Sequence, residues 1–359
     1  MSDLATGLPL AHDVAVYVGR FQPFHNGHLT LLRRALALAP LCVVVIGSAH
    51  QARTPKNPFT WAERAEMIEG ALGLDERARL RFLPMRDHYD QARWVAAVQR
   101  GVADIMALEA PPPLGRVVLV GHFKDATSEY LRGFPGWVVA PVERITVADG
   151  TQLRNALFAS AGATQDEALA SFAGQVPHST VQVLRAWLRL PHFERLVHEW
   201  QALNAYHAAW ACAPYPPVFV TVDAVVRCNR HVLLIRRAHA PGQGLLAVPG
   251  GFIDLRETAV QSCLRELKEE THLDVADLVL RQCLKANAVF DHPDRSLRGR
   301  TITHAFFFDL GDQALPSVRA DDDAQSVQWL PAAQLLAAED QFHDDHFHML
   351  DHFLGLTAT

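Results

Sequence analysis

The stretch GRFQPFHNGHL, Gly19–Leu29, decides how the first half of the chain folds. It follows DVAVYV, which reads as a short buried strand, and it leads into GHLTLLRRALALA, whose apolar spacing predicts a helix over about residues 28–39. His25 and His28 therefore stand at a strand-to-helix turn. In an open α/β sheet that turn lies at the carboxyl edge of the strands, where helix N-terminal N–H groups face bound phosphate. Gly27 keeps a Cβ out of the approach of a ligand. Two imidazole N–H groups beside a helix N-terminus can hold the charge that grows on a transferring phosphate without a covalent intermediate. A pair of ordinary turn histidines would have the same spelling, so the decision rests on the rest of the chain.

Working outward, strand-like runs near residues 14–18, 42–46, 80–83, 116–120 and 137–140 alternate with helical patterns. That alternation predicts a Rossmann-like parallel sheet with helices on both faces. Residues 161–211 read as helical, and Pro214, Pro216 and Pro217 exclude a continuing helix. A second α/β domain begins there, with VFVTVDAVVR, HVLLIRR and TITHAFFFDL as strands and ETAVQSCLRELKEET as a helix. The expected organisation is a domain over 1–175, a helical and proline-rich connector over 176–213 and a second domain over 214–359.

Composition sets the outer limits. A chain of 359 residues is long for one domain, and 49% hydrophobic residues suffice for two cores. A net charge of -6 argues against a nucleic-acid surface, which needs a basic stripe. The five cysteines, Cys42, Cys212, Cys228, Cys263 and Cys283, are odd in number and not closely paired, so neither a disulfide framework nor a zinc knuckle is expected. No basic leader precedes an apolar core, and LCVVVIG is far short of a membrane span. The expectation is a cytoplasmic protein with small-molecule partners, no nucleic acid and no membrane; whether it forms a homo-oligomer is left open.

Three further segments bear on the histidines. GSAHQARTPKNPFTWAER (residues 47–64) follows the second strand, GHFKDATSEYL (121–131) the fourth, and DGTQLRNALF (149–158) opens a late helix; each offers polar or basic groups to one crevice. Together with GRFQPFHNGH, which is similar to the HxGH motif of the nucleotidyltransferase superfamily, they resemble the nicotinamide mononucleotide (NMN) adenylyltransferase branch of archaeal type. The resemblance implies that His25 and His28 contact the phosphates of ATP, with Gly19, Arg20, Gly121, Thr151 and Arg154 around them. Lys56 stands where the family has an arginine before NPFT, with Arg53 as a substitute. Gln91 and Trp94 would grip the nicotinamide, Trp94 by stacking. The late motif departs from Ser-x-Thr-x-Ile-Arg: Asp149 replaces the serine, and its charge weakens triphosphate binding unless it points away or helps hold magnesium. Thr151 is expected to supply the helix-cap hydroxyl.

The second half carries GGFIDLRETAVQSCLRELKEETHL. It matches Gly-x5-Glu-x7-Arg-Glu-U-x-Glu-Glu-x-Gly-U at Gly251, Glu257, Arg265, Glu266, Glu269 and Glu270, with His272 in place of the second glycine. Glu266, Glu269 and Glu270 crowd one helical face, and carboxylates packed that closely repel unless a cation intervenes. Hard oxygen ligands suit Mg2+ or Mn2+ bridging a diphosphate. A solvated acidic face is the alternative for an arbitrary acidic helix, but the spacing from Gly251 resembles the Nudix box. That likeness implies that Arg265 pairs with Glu257 while the three glutamates hold metal and water. It also implies a Nudix α/β/α sandwich. A further acid from outside the box is sought among Asp321, Asp322 and Asp323. The histidines of FHDDHFHMLDHFL read as part of a terminal amphipathic helix with Phe342, His346, Leu350, Phe353 and Leu354 rather than as a metal site.

Both halves together resemble bifunctional NMN adenylyltransferase/ADP-ribose pyrophosphatases. The resemblance implies ATP and NMN as substrates of the first domain, ADP-ribose as that of the second, and catalysis by His25, His28, Glu266, Glu269 and Glu270. Alternatives for the second domain are NADH or another nucleoside diphosphate as substrate, or a silent sensor of NAD metabolites.

Overall fold

The computed structural model describes residues 11–112, 114–121, 133–142, 149–170, 172–321 and 324–358. The chain forms two compact units, Met1–His50 with Lys56–Glu194, and Gln51–Pro55 with Arg195–Thr359.

The first unit runs β1 (Val14–Gly19), α1 (Asn26–Leu38), β2 (Leu41–Ile46), α2 (Trp61–Gly70), α3 (Leu74–Ala78), β3 (Leu80–Pro84), α4 (Gln91–Ala107), β4 (Val117–Gly121), β5 (Val138–Pro141), α5 (Gly150–Ala159), α6 (Gln165–Ala170) and α7 (His178–Trp187). Its five strands are all parallel, in the order β3-β2-β1-β4-β5. Strands buried on both faces read as unbroken apolar runs, which is why LCVVVI has no polar alternation and is wholly buried. Val14, Val16, Val43 and Val45 pack against Val95, Val98 and Val102 of α4. The buried side of α1, Leu31, Leu32, Ala35 and Leu36, covers β1 and β4.

The second unit takes most of α8 (Pro191–Trp210), then β6 (Val218–Cys228), β7 (His231–Arg237), β8 (Leu246–Ala247), β9 (Gly250–Phe252), α9 (Ala259–Thr271), α10 (Asp277–Gln282), β10 (Leu284–Phe290), β11 (Arg300–Asp309), β12 (Ala324–Pro331) and α11 (His346–Leu354). Its mixed sheet has the order β10-β11-β6-β7-β12, with β8 on β7 and β9 on β6. Asn229 and Arg230, with φ of 42 and 60, turn β6 into β7, the two positive φ values that a tight hairpin needs. Val222, Ala224 and Val226 of β6 face Cys263, Leu264 and Leu267 of α9, while Val225 faces the side carrying Met349 and Leu350 of α11. This is the expected layering of helix, sheet and helix.

The structure redraws the expected connector 176–213. In the first unit, Ser179 of α7 donates to Met67 O at 3.1 Å and Thr180 to Phe24 O at 3.1 Å. From Arg195 onward α8 belongs to the second unit, where Glu199 accepts from Gly242 N at 2.6 Å and Gln243 N at 3.0 Å. The terminal helix also starts later than its apolar spacing suggested: Phe342 is extended and bridges to Leu246, and the helix begins at His346. No helix among the described residues is long and apolar enough to cross a membrane.

Candidate active sites

In the first unit the HxGH turn is built from its own histidines. His25 is the N-cap of α1, and its Nδ1 accepts His28 N at 3.4 Å, while His28 Nδ1 accepts His25 N at 3.3 Å. This reciprocal box, usually made by a hydroxyl and a glutamate, satisfies two of the helix's orphan donors. It also fixes the chemistry. A neutral ring whose Nδ1 accepts carries its proton on Nε2, so both rings present Nε2–H as donors. The rings stack 3.6 Å apart, and His28 is held further by Phe24 and Phe21, at 5.8 and 5.0 Å between centroids. Gly19 is required by packing: a Cβ there would meet the Phe21 ring at 2.6 Å.

Two guanidiniums, one fully buried and one partly buried, brace this turn. Arg64, with no exposed surface, donates to Arg20 O and Gly47 O at 2.7 Å each and to Ser48 O at 3.2 Å, joining the ends of β1 and β2. Burial pushes it down to about 10. Arg154 donates to Gln22 O at 2.6 Å and Thr151 Oγ1 at 3.1 Å; burial and then the like charge of Arg20 push it down to about 10. Two cations drawn together in a partly dry crevice favour an anion between them. The Gln22 amide closes the other side, donating to Phe59 O at 2.8 Å and accepting Phe59 N at 3.0 Å.

Asp149 acquires a role here, and Thr151 loses one. Asp149 is the N-cap of α5, its Oδ1 accepting Thr151 N at 2.7 Å and Gln152 N at 3.3 Å, so its charge is spent on the helix end. Thr151 lies inside the first turn and accepts from Arg154 rather than capping. Gln91 and Trp94 open α4; Trp94 meets Phe134 edge-on at 5.7 Å, and Phe134 stacks on Trp137 at 4.8 Å. Of residues 121–131 only Gly121 lies among the described residues, at the end of β4. Lys56 belongs to the first unit, whereas Arg53 groups with the second.

In the second unit α9 presents the glutamates to the β9 loop. Thr258 is its N-cap, and the Thr258 backbone N–H donates to Gln261 Oε1 at 2.9 Å. Gly250 and Gly251 are small by necessity: a Cβ on Gly250 would strike Val222 O at 2.2 Å, and one on Gly251 would strike the Glu266 carboxylate at 2.5 Å. Arg265 gathers the acids, with Nε on Glu257 at 3.0 Å and a terminal nitrogen on Glu266 at 2.9 Å and Glu269 at 2.8 Å. Burial works against its charge, but the surrounding carboxylates outweigh it and raise its pKa. Hydrogen bonds from Ser262 and Arg265 hold Glu257 low. Glu270 accepts Gly250 N at 2.9 Å; burial, helped by the neighbouring charge of Glu266, pushes it up to about 8.

The three glutamates share one face, yet they are not assembled as a metal cage. Among the described residues no group of three or more acidic, histidine or cysteine side chains is arranged to hold a metal ion. Glu266 and Glu269 are turned to Arg265, which supplies the cation that their repulsion demands, and Glu270 is turned to a backbone donor. The donor set still suits a hard divalent ion: oxygen ligands only, one of them a carboxylate, Glu270, whose charged form burial disfavours and a cation would favour. Asp321 does not join it, since it pairs with His272 Nε2 at 2.6 Å beyond the end of α9, and Asp322 and Asp323 lie outside the described residues. His272 caps α9 in the left-handed conformation, φ 41 and ψ 39.

The cytidylyltransferase-like family profile matches residues 16–105, and the NUDIX domain profile matches residues 218–353. The crystal structure of a bifunctional NMN adenylyltransferase/ADP ribose pyrophosphatase from Francisella tularensis matches with a TM-score of 0.85 and 32% identity, over 96% of this chain and 99% of that one. The chain belongs to this bifunctional family. A second structure of the Francisella protein, complexed with AMP and a manganese ion, matches over the same shares with a TM-score of 0.84 and 31% identity. The nicotinamide/nicotinic acid mononucleotide adenylyltransferase of Acinetobacter baylyi is 31% identical over 194 residues, which are 54% of this chain and 96% of that protein.

Within this family member, sequence reasoning passed over several site residues. Arg64 and Gln22 spend their side chains on distant backbone, which no local pattern announces. Asp223 is a second buried acid against the box loop: its Oδ1 would lie 2.5 Å from a Cβ on Gly250, and Thr303 Oγ1 donates to its Oδ2. Burial raises its pKa. A lone acid inside the apolar run VFVTVDAVVR was the available signal.

Proposed function

We propose that the chain is a two-site enzyme of NAD metabolism. The first unit joins NMN and ATP: an NMN phosphate oxygen attacks the α-phosphorus in line, the bond to the β-phosphate bridge breaks, and NAD and pyrophosphate are released. Nε2–H of His25 and His28 and the N-terminus of α1 receive the charge growing on the phosphate oxygens. Arg20 and Arg154 neutralise the triphosphate, Arg64 keeps the Arg20 loop in register with Gly47, and Trp94 stacks on the nicotinamide.

The second unit hydrolyses ADP-ribose: water attacks one phosphorus, the diphosphate bridge breaks, and AMP and ribose 5-phosphate leave. Glu266, Glu269 and Glu270 would hold the divalent ion, and its contribution, as Mg2+ or Mn2+, is to neutralise and polarise the diphosphate. To reach it, Glu266 and Glu269 must leave Arg265, which stays anchored by Glu257. Glu270 must shed its proton. The five cysteines are free thiols, in keeping with a reducing cytoplasm.

The observation that carries this reading is the presence in one chain of two phosphate-directed assemblies, the Nε2-protonated histidine pair at a helix N-terminus and the box glutamates against Gly250–Gly251. The test is a substrate panel on the purified chain with Mg2+, products separated chromatographically. NAD from NMN plus ATP, and AMP plus ribose 5-phosphate from ADP-ribose, are expected; activity on NADH in preference to ADP-ribose would reassign the second unit.

A further inference from the structure

The second unit has a cleft whose lining includes Arg195, Pro241, Gly242, Leu297, Arg298 and His343. Two buried polar atoms at this cleft lack hydrogen-bond partners: Nε of Arg298 and Nε2 of His343. His343 is only 4% exposed, and its Nε2 approaches Asp344 Oδ2 at 3.3 Å without hydrogen-bond geometry. Such atoms are rare in native structures and mark places where a ligand or ordered water completes the bonding. Burial, followed by the charges of Arg237, Arg298 and Arg295, keeps the ring neutral, so it acts as a hydrogen-bonding group and not as a counter-ion.

We propose that this cleft receives the phosphorylated ribose of a nucleoside diphosphate sugar, the half of the substrate that leaves as ribose 5-phosphate, with Arg298 and His343 as its specificity-determining contacts. The assignment rests on the hydrolase reading of the second unit and names what that site selects. Three features support it. A chain of contacts runs from the cleft toward the box: the Arg298 guanidinium lies 5.3 Å over the ring of Phe252, the residue after Gly251, and the Phe252 carbonyl accepts from Arg265. Its charge balance favours an anion, because Arg53, Arg195 and Arg298 line it against two acids, Glu199 and Asp344, and Glu199 is already engaged by the N–H groups of Gly242 and Gln243. The lining has no Phe, Tyr or Trp ring, so it offers no broad stacking platform for adenine, whereas guanidinium and imidazole donors suit phosphate and sugar hydroxyls. Gly242 makes room for the His343 ring, since a Cβ there would meet Nδ1 at 2.2 Å.

The test is calorimetric titration of the full chain with Mg2+ and, separately, ribose 5-phosphate, AMP and inorganic phosphate, for wild type, Arg298→Gln and His343→Phe. His343→Phe keeps the ring volume, and the half-exposed Arg298→Gln carries the test should His343→Phe fail to fold. Wild type is expected to bind ribose 5-phosphate more tightly than inorganic phosphate. Both variants should weaken ribose 5-phosphate at least tenfold while AMP changes less than twofold. Unchanged ribose 5-phosphate binding, or loss of AMP binding instead, overturns the assignment, as does a wild type that does not distinguish the sugar phosphate from inorganic phosphate. ADP-ribose hydrolysis by wild type separates the two claims: turnover with ribose 5-phosphate binding indifferent to Arg298 and His343 refutes the cleft alone. The expected binding pattern without turnover refutes the hydrolase reading alone.

Discussion

Replacing His28 separates its two tasks. His28→Ala removes the Nδ1 acceptor that takes His25 N at 3.3 Å, the ring that stacks on His25, and the Nε2–H donor. Losing one side of a capping box costs about 1 kcal/mol, and losing the ring contacts adds about 0.5 to 1.5 kcal/mol. Losing one preorganised donor to a transferring phosphate costs about 2.7 to 4 kcal/mol in the barrier, roughly 10²- to 10³-fold in rate, if it is comparable to one oxyanion-hole donor. His28→Gln distinguishes the two, because glutamine is a regular partner at the third position of a capping box and its Oε1 can accept His25 N. The expected result is that His28→Ala melts lower and loses NAD synthesis, while His28→Gln melts within about 0.5 kcal/mol of His28→Ala plus the restored cap of about 1 kcal/mol, and still loses synthesis. NAD formation from NMN and ATP, read through a coupled dehydrogenase, and thermal unfolding of the same preparations supply both numbers. Near wild-type turnover in either variant refutes the assignment of His28 to the transition state.

Further outcomes follow from the second unit. His272 is strained at φ 41 and its pairing with Asp321 is solvent-exposed, so His272→Gly should be about 1 kcal/mol more stable than His272→Ala by unfolding, with hydrolysis within a few-fold of wild type in both. A collapse of turnover in the glycine variant with unchanged melting would make the imidazole catalytic. Glu270 has a raised folded pKa of about 8, so its folded form binds the proton more tightly than the unfolded chain does. Its contribution is fully present below the ordinary carboxylate pKa and is lost as pH rises through about 8. Metal-free protein should therefore lose second-unit stability between roughly pH 5 and 8, Glu270→Gln should flatten that slope, and Mn2+ should bind more tightly as the proton leaves. A flat pH profile for the metal-free wild type contradicts the burial of Glu270.

The parts legible in the sequence were those whose cause is local. The five parallel strands followed from apolar runs, the first helix from its 3.6-residue spacing, and the glutamate face of α9 from its i, i+3 and i+4 positions. Element ends were less exposed to view. The first helix starts at Asn26 because His25 caps it, and Asp149 rather than Thr151 caps α5, choices set by hydrogen bonds that spelling alone does not rank. Long-range partners were hidden altogether: Arg64 serves carbonyls at residues 20, 47 and 48, and Asp223 meets Thr303 across the sheet. The glutamates show the same limit from the other side. Their shared face was legible, but not that Arg265 would collect two of them.

The central claim, one chain with two separate chemistries, is tested most directly by assaying both reactions on His28→Ala and Glu269→Gln side by side. His28→Ala should lose NAD synthesis and keep ADP-ribose hydrolysis, and Glu269→Gln, whose exposed carboxylate pairs only with Arg265 among the ion pairs of α9, should do the reverse. Loss of both activities in either folded variant, or loss of neither, contradicts the account.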